Sequence, residues 1–240
     1  YPEGKPAYSP RLMAPKPPII NVPTTPTSAM NRAGTGLKNS DLDHRMEYFD
    51  PKTRPQAIFL DEEALLATPS DLIRSTATTV FAGLVGARAQ LDANPLAAGD
   101  EDQAFLLAHR AYRRLADEPE AAALRLDLCL AAFLQNRAED DGLRRFRGGV
   151  FSGSYAVSTA LHVRYPRVGQ GESTAVVQAP KIRLSEEIDG RAARRVAESL
   201  AVWRDGMAAR DAALAVADRL EQLTDPRRCQ VGTQDRVDPG

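Results

Sequence analysis

The feature that most constrains the fold is an abrupt change of composition near residue 60. Before it, the chain is rich in proline and contains two strand-like runs, IINV at residues 19–22 and QAIFLD at residues 56–61. After it, alanine- and leucine-rich segments repeat apolar residues every three or four positions, as one face of an α-helix does. We therefore predict a mainly α-helical protein, with a helical domain over residues 61–240 and a remnant of an α/β domain over residues 1–60.

The two predicted strands are too few for a sheet of their own, since three or more strands with a covered face are normally needed. The sequence starts at Tyr1 in a proline-rich segment of the kind that connects other elements. We expect the missing strands to come from a companion N-terminal segment or a second chain. The second case predicts a homo- or hetero-oligomer.

Charge and cysteine content narrow the class of protein. The chain has 31 basic and 32 acidic residues without long runs of one sign, which argues against nucleic-acid and anionic-membrane partners. No apolar run reaches the roughly 18 residues of a membrane span. Two isolated cysteines, Cys129 and Cys229, are typical of reduced thiols, so we expect a cytoplasmic protein.

Six or seven helices are predicted beyond residue 60. The segment SDLIRSTATTVFAGLVGARAQLDA, which begins at Ser70, is apolar around most of its circumference and therefore predicts a central, buried helix. Pro119 is predicted in the first turn of a later helix. A further helix within GGVFSGSYAVSTALHVRY is predicted to end before Pro166.

Two ordered motifs relate this chain to a known family. The segment at residues 19–31 contains Pro-Thr-Thr at residues 23–25, and a Pro-x5-Asp-x7-Pro pattern follows at Pro55, Asp61 and Pro69. In this order the motifs resemble the iron-containing alcohol dehydrogenase family, to which maleylacetate reductases and dehydroquinate synthases are related. The resemblance extends over most of the chain and implies the dehydroquinate synthase-like fold.

In that family an N-terminal α/β domain binds NAD(P), and a helical domain holds a metal in the cleft between them. The family's Gly-Gly-Gly-Ser phosphate loop has no counterpart here. The resemblance implies that Thr24, Thr25, Thr27 and Arg45 bind the cofactor. Alternatively, the threonine hydroxyls close a strand end through bonds to the backbone, and the arginine is simply solvated.

The metal ligands of the family have no equivalents in this sequence. The first pair is Asp-x-x-x-His on the buried helix, a spacing that turns both side chains to one ion. By the resemblance, the aspartate position falls at or beside Val80 and the histidine position at or beside Leu84. Two later positions fall in SYAVST, at Ser154 or Tyr155 and at Ser158 or Thr159. The last position falls at the pair Gln170-Gly171. Hydroxyls and amides are poor ligands for transition metals, so we predict that the metal site is lost.

The remaining polar residues of the expected cleft suggest a substrate pocket without metal. We predict that Ser154, Ser158 and Gln170 line it, with the alternative that the two serines only allow close helix packing. His162, on the same predicted helix, is the candidate catalytic residue, as a proton donor or acceptor. The alternative is a histidine satisfied within its helix. His109 is expected to be a solvated or capping side chain.

Three functions remain open from the sequence. The first is an NAD(P)-linked oxidoreductase of the alcohol dehydrogenase or maleylacetate reductase type, completed by a further segment or chain. The second is a metal-free relative that retains a ligand cleft. The third is a non-catalytic subunit whose helical surface binds a partner.

Overall fold

The computed structural model describes residues 15–27, 29–38, 45–143, 149–165 and 167–225. Four short strands form two separate two-stranded sheets in its N-terminal part. They are β1 (Ile20–Asn21), β2 (Gly34–Lys38), β3 (Arg45–Phe49) and β4 (Ala57–Ile58). β1 pairs with β4 in parallel, and β2 pairs with β3 in an antiparallel hairpin.

Both strand-like runs of the sequence therefore form strands, and they pair with each other. The hairpin was not predicted, because GTGLK lacks the alternation of a half-buried strand. Neither sheet has a third strand within the described residues. The side chains of Ile20 and Phe59, in and beside the parallel pair, are 63% and 59% exposed.

The rest of the described chain is helical, which confirms the predicted fold class. The helices are α1 (Glu62–Leu66), α2 (Ser70–Arg88), α3 (Pro95–Arg114), α4 (Ala122–Asp140), α5 (Tyr155–Arg164), α6 (Gln170–Leu184), α7 (Gly190–Ser199) and α8 (Ala209–Thr224). A short 3-10 turn, Gly149–Phe151, precedes α5. Within the described ranges no helix is both long and apolar enough to cross a membrane.

Local capping explains where several helices begin. Asp61 accepts a hydrogen bond from the Ala64 amide at the start of α1, and Asn94 accepts two amide bonds just before Pro95 of α3. Asp189 caps α7 in the same way. Pro119 is a correction to the sequence prediction, because α4 begins later, at Ala122.

α2 is the central helix, as predicted. Its side chains supply much of the largest buried apolar cluster, and it packs against α3, α4, α6 and α7. His109 of α3 was expected to be solvated or capping, which is wrong. It is half-buried and stacks against Phe81 and Phe105, at ring-centroid distances of 6.1 and 5.4 Å.

Polar contacts hold the N-terminal part against α4. Arg32 donates a 2.6 Å hydrogen bond from Nε to Asn136 Oδ1 and pairs with Glu139. Arg54 binds both carboxylate oxygens of Asp140, at 2.5 and 3.2 Å. The hydrogen bond from Arg54 lowers the pKa of Asp140. These bonds join residues 104 and 86 positions apart, and so hold the strands against the helices.

Candidate functional site

A small cavity lies where α2, α5, α6 and the turn before α5 meet. Its volume is about 30 Å³. It is lined by Thr79, Ala82, Gly83, Ser152, Gly153, Tyr155, Ser158, Gln170 and Thr174. Hydroxyl groups and small residues therefore form most of the wall.

The α2 wall is built from residues beside the expected metal-pair positions. Val80 and Leu84 are buried in the hydrophobic core, and their neighbours Thr79 and Gly83 line the cavity instead. Thr79 and Gly83 are four residues apart and so lie on one face of the helix. This face thus has the spacing of a ligand pair, but Thr79 carries only a hydroxyl and Gly83 has no side chain.

The α5 and α6 walls contain two of the three predicted pocket residues. Ser158 and Gln170 come together in the cavity, whereas Ser154 lies just before α5 and is not among the lining residues. Thr174 and Ser152, which the sequence analysis missed, also line it. Neither could be found from family motifs, because they lie outside the ligand positions.

Glycines bring the cavity walls close together. A Cβ atom on Gly171 would lie 1.9 Å from the carbonyl oxygen of Ser75, so α6 touches the backbone of α2. A Cβ atom on Gly86 would lie 2.7 Å from Cα of Ser152. Real Cβ atoms do not approach backbone atoms this closely. These contacts keep the cavity narrow.

Two α6 side chains fix the turn before α5 against the helices. Gln178 donates from Nε2 to the carbonyl oxygens of Ala82 and Phe151, at 3.1 and 2.9 Å. Lys181 donates from Nζ to the carbonyl oxygen of Ser152 at 3.1 Å and to its hydroxyl at 3.2 Å. Burial lowers the pKa of Lys181. One wall of the cavity is therefore in contact with an ammonium group.

The aliphatic hydroxyls that line the cavity donate their protons to the backbone. Ser158 donates to the carbonyl oxygen of Tyr155, at 3.2 Å, and Thr174 to that of Gln170, at 2.8 Å. Ser152 donates to the carbonyl oxygen of Gly149, at 2.9 Å, and Thr79 makes a longer contact of 3.5 Å with Ser75. A hydroxyl has one proton and two lone pairs, so each can offer a ligand acceptor capacity only.

This donor set does not fit the transition metal that the fold family implies. The cavity offers neutral hydroxyls and one amide, whereas iron and zinc sites use imidazole, thiolate or carboxylate ligands. The adjoining Lys181 ammonium would also repel a cation. Across the described residues, no group of three or more histidine, cysteine, aspartate or glutamate side chains is arranged to hold a metal ion.

His162 lies one helical turn beyond Ser158 on α5. Its Nδ1 is 2.9 Å from the carbonyl oxygen of Val168, in the segment that leads to α6. A carbonyl oxygen can only accept, so Nδ1 carries the proton. In the neutral ring Nε2 is then left as an acceptor. The partner of this bond lies outside α5, so His162 is not satisfied within its own helix, and Nε2 remains as the acceptor of the ring.

The predicted cofactor residues lie in the N-terminal part. Thr24 is exposed and Thr25 half-buried, and the carbonyl oxygen of Thr24 accepts a 2.8 Å bond from the Thr68 hydroxyl. The hydroxyl of Thr27 accepts from the Ala29 amide within its own loop. The backbone of Arg45 begins β3, opposite Lys38, and its side chain lies outside the described structure.

Comparison with solved structures identifies the fold. A 1,3-propanediol oxidoreductase is 22% identical, with a TM-score of 0.72, over 89% of this chain and 54% of its own. An archaeal halo-thermophilic alcohol dehydrogenase from a Red Sea brine pool is 18% identical, with a TM-score of 0.71, over 89% and 52%. A sulfoacetaldehyde reductase from Bifidobacterium kashiwanohense, solved with NAD+, is 18% identical, with a TM-score of 0.65, over 87% and 52%.

This chain has the fold of the helical part of iron-containing alcohol dehydrogenases. It spans about half the length of the solved structures it matches. No protein-family model matches the sequence. No curated protein matches it either. The likeness to the oxidoreductases is therefore one of fold.

Proposed function

We propose that the chain is the helical part of an NAD(P)-dependent, oxidoreductase-like protein that works without a catalytic transition metal. The observation that carries this proposal is the donor set of the cavity described above. It lies where α2, α5 and α6 meet in an alcohol dehydrogenase fold, and its walls offer the hydroxyls of Ser158 and Thr174 and the amide of Gln170, which are poor ligands for a transition metal.

The cofactor would be bound partly by this chain and partly by another segment or subunit. Thr24 is an exposed residue whose hydroxyl would hydrogen-bond a nicotinamide cofactor, and the Thr68 hydroxyl binds the carbonyl oxygen of Thr24 in this loop. Thr25, Thr27 and Arg45 are the further candidates, in the same N-terminal part of the chain. The NAD+ bound to the sulfoacetaldehyde reductase supports this class of cofactor.

Chemistry in such a site must rely on the protein's own proton donors and acceptors. A bound metal would polarise a carbonyl or stabilise an alkoxide, and the proposed site works without that contribution. His162 is the proposed proton acceptor, because the bond at Nδ1 leaves Nε2 with its lone pair. His162 follows Ser158 by one turn on α5 and is not itself among the residues that line the cavity.

A non-catalytic subunit is the second candidate. The observation that favours it is the short parallel pair of β1 and β4, with Ile20 and Phe59 exposed beside it. A sheet of this size needs further strands, which a companion segment or chain would supply. We also propose a cytoplasmic location, which is supported by Cys129 being a buried, free thiol.

Native mass spectrometry comes first, since it defines the particle to be assayed. Elemental analysis of that particle should then find no stoichiometric iron or zinc. NADH fluorescence titration should show saturable binding, which Thr24→Val weakens and Thr76→Val does not. Thr76 is a matched control because its hydroxyl bonds within α2, to the carbonyl oxygens of Leu72 and Ile73.

The outcomes separate the candidates. One equivalent of iron or zinc held by this chain would overturn the metal-free proposal. Absence of NADH and NADPH binding to the intact particle would favour the non-catalytic subunit.

A further inference from the structure

A second pocket lies between α8 and the segment that joins α8 to α7. Its volume is about 450 Å³, which is enough for a small organic molecule. One face of α8 forms its floor, and residues 201–204 form another wall. The floor residues, at helical spacings of three and four, are Ala215, Asp218, Arg219 and Gln222. Among the residues that the structure describes, this pocket shares none with the cavity between α2, α5 and α6.

The indole of Trp203 brings an unused hydrogen-bond donor to this pocket. Trp203 is one of the lining residues, and its Nε1 is buried without a hydrogen-bond partner in the described structure. The guanidinium group of Arg194 lies 5.3 Å from the ring centroid and is paired with Glu198, so its charge is balanced. An N–H group buried without an acceptor is destabilising, and the indole nitrogen can only donate. The unpaired donor therefore points to a ligand with an acceptor atom.

Two arginines give the pocket a positive charge. Arg204 and Arg219 line it, and Arg219 donates from Nη1 to Oε1 of Gln222 at 3.4 Å. Asp218 is the acidic residue of the described lining, and Arg183 binds its carboxylate at 2.7 Å. Guanidinium groups bind carboxylate and phosphate oxygens through charge-assisted hydrogen bonds. An anion is therefore the matching ligand.

His109 of α3 responds to the same positive charge. Burial is the main reason that the pKa of His109 is lowered, and the charges of Arg113 and Arg219 lower it further. The charge of Arg219 therefore acts beyond the pocket and adds to that of Arg113. A bound anion would offset this positive potential.

We propose that this pocket binds a small organic anion, whose oxygens accept hydrogen bonds from the indole of Trp203 and the guanidinium groups of Arg204 and Arg219. The charged end of the ligand is a carboxylate or a phosphate, since both offer negatively charged oxygen acceptors. The pocket is larger than an inorganic ion, and Val202 and Ala215 offer apolar contact to the rest of the ligand. This inference does not depend on the proposed function, because no residue of that site takes part.

Trp203 is the single tryptophan of the chain, so its indole N–H gives one identifiable signal in a two-dimensional proton–nitrogen NMR spectrum. The intact protein is titrated with sodium phosphate and, separately, with sodium malonate, at an ionic strength held constant with sodium chloride. We expect a saturable downfield shift of the indole proton with one or both anions, because a hydrogen bond to an anion deshields this proton. A shift with phosphate alone assigns a phosphoryl end to the ligand, and a shift with malonate alone assigns a carboxylate end.

Arg204→Gln and Arg219→Gln should each raise the apparent Kd about fivefold or more, because each removes a charged donor. Arg110→Gln is the matched control, since Arg110 pairs with Asp127 between α3 and α4, and its loss should leave the Kd unchanged. Arg204 is exposed, so its variant serves as the test if Arg219→Gln does not fold. The absence of a saturable shift with both anions would overturn the inference, as would equal affinities of the wild type and Arg204→Gln.

Discussion

Gly171 and Ser75 touch backbone to backbone, since a Cβ atom on the glycine would lie 1.9 Å from the serine carbonyl oxygen. This contact joins α6 to the central helix α2 at the edge of the cavity. Neither helix backbone can yield as a flexible side chain would.

Gly171→Ala should therefore destabilise the protein by about 3 kcal/mol, the upper part of the usual cost of overpacking. Urea denaturation followed by circular dichroism measures the change. Gly99→Ala is the control, because Gly99 lies within α3 with nothing within 4 Å of its Cβ position. That variant should be stabilised by about 0.5–1 kcal/mol. Equal effects at both sites would contradict the close packing of α2 and α6.

Arg125 stabilises the junction between two loops. It is fully buried and donates to the carbonyl oxygens of Leu65, Thr68 and Pro119, at 2.5 to 2.9 Å. Arg125→Met should cost about 3 kcal/mol of unfolding free energy, because buried carbonyls lose their donors. Thermal and urea unfolding measure the loss. Arg114→Met, at an exposed pair with Glu118, should unfold like the wild type.

Cys129 is predicted to be unreactive in the folded protein. It is buried, and burial raises the pKa of its thiol to about 12, so almost no thiolate forms near neutral pH. In a Cys229→Ser background, a disulfide reagent should modify Cys129 only after denaturant is added. Rapid labelling at pH 8 without denaturant would show that the thiol is accessible.

His109 should make stability depend on pH. Burial, together with the nearby charges of Arg113 and Arg219, lowers the pKa of His109 below its ordinary value of 6.5. The folded protein therefore keeps this ring neutral at pH values where the unfolded chain already binds a proton. The contribution of the neutral His109 ring to stability is fully present above pH 6.5, and it is lost as the pH decreases below that value.

His109→Phe keeps an aromatic ring beside Phe81 and Phe105 and removes the titration. Its unfolding free energy should change less between pH 7.5 and pH 5 than that of the wild type. Chemical denaturation at each pH measures this change in unfolding free energy for both proteins. An equal change in the two proteins would mean that a group other than His109 causes the pH dependence.

The sequence predicts the central helix because apolar residues occupy most of its circumference, and α2 is buried as expected. The sequence does not predict α6, for the opposite reason. Its buried positions include Ser173, Thr174 and Gln178, and Pro180 lies within it, so no apolar stripe reveals the helix. What these polar residues pack against depends on α2 and on the turn before α5, which are distant in sequence.

The cavity was predictable only in part, for a similar reason. The family spacing points to Val80 and Leu84, which lie in the core, whereas their neighbours Thr79 and Gly83 line the cavity. No pattern could show that the hydroxyls donate to backbone carbonyls, because that depends on side-chain rotamers and helix ends. Nor does any local pattern pair Arg54 with Asp140, which α4 brings together across 86 positions.

The attachment of the N-terminal part to α4 has a mechanical consequence. Arg32 and Arg54 bind Asn136 and Asp140 of α4, and the Thr68 hydroxyl binds the carbonyl oxygen of Thr24, so these bonds tie the N-terminal part to the helices. Any movement of the N-terminal part relative to α4 would therefore have to break these bonds first.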